Sequence, residues 1–124
     1  CGGDRDTSKR PLMAAIAQQF ADYVCLTTDN PRHENIESII TDMQAGFIGN
    51  IDHESNGMIS VELDRQQAIV QTLTHFNQHD MVLVAGKGHE AYQDIKGEKI
   101  PYSDEAVLLA QGYQDIQAFN KEAL

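Results

Sequence analysis

The chain has 124 residues, of which 41% are hydrophobic and 23% charged, a length and composition suited to one domain with its own core and unlike a disordered chain. Nineteen Asp and Glu against nine Lys and Arg give a net charge of -10, which repels phosphate backbones and anionic lipid and argues against nucleic acid or a membrane as partner. No apolar run nears the ~20 residues that cross a bilayer, and the first residues lack a basic-then-apolar signal pattern, so a cytoplasmic location is expected. The only cysteines, Cys1 and Cys25, argue against a disulfide framework, and Cys25 reads as a buried small hydrophobe.

In chain order, Cys1-Gly2-Gly3-Asp4 has no initiator Met and reads as a loop in a fragment of a longer chain, with a strand expected ahead of it. Pro11 suits a first helical position, and Leu12, Ile16 and Phe20 with Met13, Ala17 and Ala21 predict a helix over 11–21. Tyr23-Val24-Cys25-Leu26-Thr27 predicts a buried strand that empties into an Asp29-Asn30-Pro31-Arg32 turn. Ile36, Ile39, Ile40 and Met43 outline a second helix, and residues 46–57 read as a surface loop before a strand at 58–63. Asp64 with Gln67 resembles a capping box, opening a helix through Ala68, Ile69, Thr72, Leu73 and Phe76.

The apolar run Met81-Val82-Leu83-Val84-Ala85 predicts a parallel strand covered on both faces, running directly into Gly86-Lys87-Gly88-His89-Glu90. Residues 92–95 and 98–102 flank Lys96-Gly97 as a hairpin. Ser103 caps a last helix through Val107, Leu108 and Leu109, which Gly112 breaks. The alternation predicts an α/β, Rossmann-like three-layer domain with a mostly parallel sheet and a small hairpin, its first strand missing from the fragment.

Ligands of open α/β sheets bind beyond the carboxyl ends of strands. Residues 29–32 and 86–90 hold that position, and residues 2–6 would join them if a strand preceded Cys1. Five of the nine cations, Arg5, Lys9, Arg10, Arg32 and Lys87, fall in or beside these segments. Asp29-Asn30-Pro31-Arg32 offers a carboxylate, an amide and a guanidinium suited to bidentate reading of a carboxylate ligand, although turn chemistry alone explains most of it. Gly86 to Ala91 formally matches the dinucleotide fingerprint, but a hairpin rather than a helix is expected after it, so that reading is rejected. Its glycines still allow close backbone approach, with Glu90 available to an ammonium group; the plain alternative is a tight strand exit. Cations before the helix at Pro11 favour an anion, against simple terminal flexibility. His75 and His79, four apart, make a poor metal pair, and no metal ligand or catalytic triad is assigned.

Taken jointly, the segments CGGDRD with KRP, TDNPR, and VLVAGKGHE with YQ resemble the carboxy-terminal domain of the Mur ligases, from Cys1 to about Asp104. Asp-Asn-Pro-Arg is the form of the members that add meso-diaminopimelate to UDP-N-acetylmuramoyl-L-alanyl-D-glutamate; lysine-adding relatives differ there. The resemblance implies that Arg5, Asp29, Asn30, Arg32, Gly86 and Glu90 hold the incoming amino acid and that Asp4 touches the nucleotide ribose. Arg32 and Asn30 would read the distal carboxylate, Glu90 and the Gly86 carbonyl the distal ammonium, and Arg5 a carboxylate near the reacting end. It implies ATP and Mg2+ as cofactors, bound mainly by an absent central domain, so the fragment alone is expected to be inactive. Two rival readings remain at this point: a non-catalytic amino-acid-binding or protein-interaction module, and a small nucleotide-binding oxidoreductase domain that depends on the rejected fingerprint.

Overall fold

Side chains at the helix starts satisfy backbone N–H groups that a helix leaves unpaired. In a computed structural model, which describes residues 1–49 and 58–115, Asn35 opens α2 (Ile36–Gln44) by accepting from the Ser38 N–H at 3.2 Å. Asp64 opens α3 (Arg65–His75) by accepting from the Gln67 N–H at 2.9 Å, as the sequence predicts. Ser103 Oγ accepts from the Ala106 N–H at 3.2 Å to start α4 (Asp104–Ala110), whose first turn carries Asp104 and Glu105 where the helix dipole favours negative charge. That helix ends as expected: Gly112 adopts φ +91° and the Tyr113 N–H reaches back to the Leu108 carbonyl at 3.2 Å. The first helix, α1 (Lys9–Phe20), begins two residues before Pro11 and has no side-chain cap.

β1 (Tyr23–Leu26) pairs in parallel with β2 (Met58–Val61), from Tyr23 opposite Met58 to Leu26 opposite Val61. Ala14 of α1, Leu26 of β1 and Ile39, Ile40 and Met43 of α2 form the buried core, with Val24, Ile36 and Phe47 packed against it. Tyr23 stacks on His75 and meets Phe76 at a tilt, which anchors the end of α3 on β1. β3 (Tyr92–Ile95) and β4 (Glu98–Pro101) form the expected antiparallel hairpin about Lys96 and Gly97, both at positive φ. The result is a mixed α/β fold with a small parallel sheet and a separate hairpin. Of the predicted loop at 46–57, residues 50–57 lie outside the described residues.

Residues 81–85 depart from expectation. They alternate as a strand does, with Val82 and Val84 half-buried toward Leu73, Phe76 and Leu108, while Met81 and Leu83 are 97% and 87% exposed. Among the described residues no strand pairs with this run, which therefore has no ladder and is covered on one face only. For the same reason β1 is only half-buried apart from Leu26, and Cys25 is half-buried rather than buried. No helix among the described residues is long and apolar enough to cross a membrane.

A buried ion pair joins the two halves. Arg65 donates from Nε and Nη2 to Asp104 at 2.8 and 2.7 Å, from Nη1 to the Thr28 carbonyl at 3.3 Å and from Nη2 to the Ala85 carbonyl at 3.0 Å. The Tyr102 hydroxyl donates to the same carboxylate at 2.8 Å, and burial together with that neighbour pushes its pKa up. Burial alone would raise the Asp104 carboxyl, but the hydrogen bonds from Arg65 and Tyr102 outweigh it and hold the group below its ordinary 3.8. The stability this carboxylate contributes is therefore full above that ordinary value and is lost as pH falls through the lower folded one. Arg65→Met strands Asp104 without its partner and is expected to cost about 3–5 kcal/mol in urea unfolding at neutral pH; a cost below about 1 kcal/mol would show that the pair does not join the halves.

Candidate functional site

The exit of β1 is held in a conformation that its residues would not choose alone. Arg32 sits at φ +52°, a region unfavourable for a side chain with a Cβ. Its N–H donates to the Asp94 carbonyl at 2.9 Å, and its own carbonyl accepts from the Lys96 N–H at 2.7 Å, making a one-residue parallel bridge to β3. The Gln93 amide donates to the Asp29 carbonyl at 3.0 Å and the Asp94 N–H to Asn30 Oδ1 at 3.0 Å. The hairpin thus clasps the Asp-Asn-Pro-Arg turn, burying Asn30 and Pro31.

The glycine-rich loop at the start of the chain lies against the other side of that turn. The Gly3 N–H donates to the Asn30 carbonyl at 2.8 Å, and Arg32 Nη1 donates to the Gly3 carbonyl at 2.8 Å. Approach this close requires glycine, since a Cβ on Gly3 would stand 1.8 Å from the Pro31 carbonyl oxygen. Arg10 fixes the loop from beneath, donating to the Gly2 carbonyl at 3.1 Å, Glu34 at 2.8 Å and Asp42 at 2.9 Å. Glu34 also accepts from the Asp4 N–H at 2.8 Å. The exposed Asp4 carboxylate lies 3.0 Å from His33 Nδ1, and that hydrogen bond chiefly holds it below its usual range.

Residues 86–90 close the third side, and Gly86, at φ +114°, leaves 81–85 in a tight turn beside the Asp29 carboxylate. Lys87 turns inward. Its ammonium donates to Asn30 Oδ1 at 2.7 Å, Asp29 Oδ1 at 3.3 Å and Glu90 Oε2 at 3.4 Å. Asn30 Nδ2 in turn donates to Glu90 Oε2 at 3.0 Å. That amide bond is the main reason the Glu90 carboxyl lies below its usual range, aided by Lys87 and by the charge of Arg32. Arg32 and Glu90 nevertheless form no ion pair.

Of the residues singled out in sequence, the structure brings together Asp29, Asn30 and Glu90 around Lys87, sets Gly86 beside Asp29, and places Arg32 against Asn30 and Gly3. Asp4 stands off on His33, and the exposed Arg5 makes no side-chain hydrogen bond or ion pair among the described residues. Sequence reasoning left Lys87 and the Gln93 of its YQ segment without a role, gave His33 no partner and missed Glu34 and Asp94; a lysine between two glycines, both at positive φ, was the available signal for the first. Among the described residues no group of three or more His, Cys, Asp or Glu is placed to hold a metal. Gly3→Ala would force the loop off the turn, and a loss of about 1–3 kcal/mol in urea unfolding is expected from such overpacking. An unchanged unfolding midpoint would mean that the two segments are not locked together.

Comparison with known proteins gives one reading. The family model described as "Mur ligase, glutamate ligase domain" matches residues 1–88. A protein of Cytophaga hutchinsonii named UDP-N-acetylmuramoyl-L-alanyl-D-glutamate--2,6-diaminopimelate ligase is 49% identical over 108 residues, 87% of this chain and 21% of the relative. Its namesake in Chromobacterium violaceum is 51% identical over 104 residues, 84% of this chain and 20% of the relative. A solved structure of a ligase of the same name superposes with TM-score 0.77 at 39% identity, covering 92% of this chain and 23% of that one. The chain spans about a fifth of the length of the curated relatives it matches. The matched stretch contains the glycine-rich loop, the Asp-Asn-Pro-Arg turn and the start of the Lys87 loop, and the chain belongs to the Mur ligase family through its glutamate ligase domain.

Proposed function

We propose that this chain is the part of a diaminopimelate-adding Mur ligase that binds meso-diaminopimelate and holds its amine for attack. The observation that carries the reading is a pair of opposite charges held close but apart. Among the described residues Arg32 commits only Nη1, leaving Nε and Nη2 without hydrogen bonds, and Glu90 commits only Oε2, leaving Oε1 open. The distal carbon of meso-diaminopimelate bears a carboxylate and an ammonium, which match these two free edges. Planar guanidinium recognition suits the carboxylate. Glu90 Oε1 and the Gly86 carbonyl, which makes no hydrogen bond of its own, suit the ammonium.

Asn30 is 3% exposed, so it serves mainly by holding Glu90 and presents at most one amide edge to the ligand. Asp29 meets Lys87 through Oδ1 and adds negative charge beside Glu90. Arg5, extended and unpaired among the described residues, is free to meet the carboxylate near the reacting amine. Asp4 is assigned to a ribose hydroxyl of the nucleotide. In the whole ligase the D-glutamyl carboxylate of UDP-N-acetylmuramoyl-L-alanyl-D-glutamate is activated as an acyl phosphate, chemistry that ATP with Mg2+ supplies when bound outside this chain. The diaminopimelate nitrogen then displaces phosphate, losing a proton as the amide forms. Fixing that nitrogen in place is the contribution of this chain, since orientation converts an encounter into a near-unimolecular step.

In the full-length ligase, Arg32→Ala should raise KM for meso-diaminopimelate roughly 10- to 100-fold, the worth of a lost charged hydrogen bond, while KM for ATP stays the same. Steady-state kinetics with each substrate varied in turn checks this, and a parallel rise in KM for ATP would remove Arg32 from the amino-acid pocket.

A further inference from the structure

Lys87 has a side chain 0% exposed, so it is closed to any ligand and acts only through its neighbours. We propose that Lys87 is a positioning residue that sets the Glu90 carboxylate for the distal ammonium of the bound amino acid, an inference that rests on the diaminopimelate-binding reading of this pocket.

An ammonium has three N–H donors, and Lys87 has three acceptors: Asn30 Oδ1, Asp29 Oδ1 and Glu90 Oε2. The Lys87 ammonium and the Asp94 backbone N–H can only donate, and both meet the same atom of Asn30 at 2.7 and 3.0 Å. That atom must be the amide oxygen, which turns the NH2 toward Glu90 Oε2 at 3.0 Å. Glu90 Oε2 is thereby gripped from two sides, by Asn30 and by Lys87 itself, while Oε1 stays open. The charge count fits the same purpose. Two carboxylates, Asp29 and Glu90, face the one Lys87 ammonium, and with Arg32, whose charge also reaches Glu90, the cluster is balanced for a ligand end that carries both signs. A lysine that served stability alone would not need to orient the amide that holds Glu90.

The test compares wild-type full-length ligase with K87M and K87Q, using meso-diaminopimelate and 2-aminopimelate, which keeps every group but the distal amine. Wild type should prefer diaminopimelate in kcat/KM. In K87M that preference should fall by about tenfold or more, through a higher KM for diaminopimelate, with KM for ATP and kcat little changed. K87Q, whose shorter neutral amide still donates to Asn30, should fall between the two. A merely structural role would lower the fraction of active enzyme, and so kcat, without moving the preference. A folded K87M with the wild-type preference overturns the role of Lys87 and leaves the pocket reading intact. If K87M does not fold, a wild-type preference in K87Q overturns it equally. Wild-type enzyme that handles both amino acids alike overturns the pocket reading, and this inference with it.

Discussion

A cation withdrawn from water costs several kcal/mol unless its donors are met, and this fold withdraws three. Arg10, Arg65 and Lys87 are all buried, and each lies where loops meet rather than inside the apolar core. Arg10 ties the glycine-rich loop to Glu34 and Asp42, Arg65 ties the exits of β1 and of residues 81–85 to α4, and Lys87 ties two loops through Asp29, Asn30 and Glu90. The loops have few apolar side chains to bury, so their positions depend on these polar junctions. Because Asn30 joins two of the contacts, accepting from Lys87 on its side chain and from Gly3 on its carbonyl, a shift in one loop is felt by the others.

This division of labour explains how an acidic chain gathers both signs of charge around one turn. Of the five cations gathered at the three segments, Arg10 and Lys87 are consumed by the framework and Lys9 stands exposed on α1. That leaves Arg5 and Arg32 with donors to spare. The carboxylates Glu34, Asp42, Asp104, Asp29 and Glu90 all answer buried cations, and Glu90, the most exposed of those on Lys87, does so through Oε2 alone.

Helices, caps and the hairpin were legible because their causes are local. Asp64 with Gln67, Ser103 before an apolar stretch, and Lys96-Gly97 between two short runs each fix structure over a few residues. Residues 81–85 were misread because an apolar run predicts burial, whereas a ladder depends on a neighbour that the run itself does not encode. The candidate site was legible as three segments, of which only residues 29–32 leave a described strand, yet not as a network. The sequence places a lysine between two glycines, and only the folded backbone turns it inward onto Asn30. That Arg5 makes no side-chain hydrogen bond or ion pair among the described residues, and that Asp4 turns toward His33, were likewise beyond a reading by spacing.

The left-handed backbone of Arg32 has an evolutionary corollary. Glycine would occupy φ +52° without the steric penalty, so arginine here sets backbone strain against a guanidinium that holds the Gly3 carbonyl. A selection for heat resistance alone would weigh that relief against the lost bond to Gly3, and a glycine descendant would carry no guanidinium at the exit of β1.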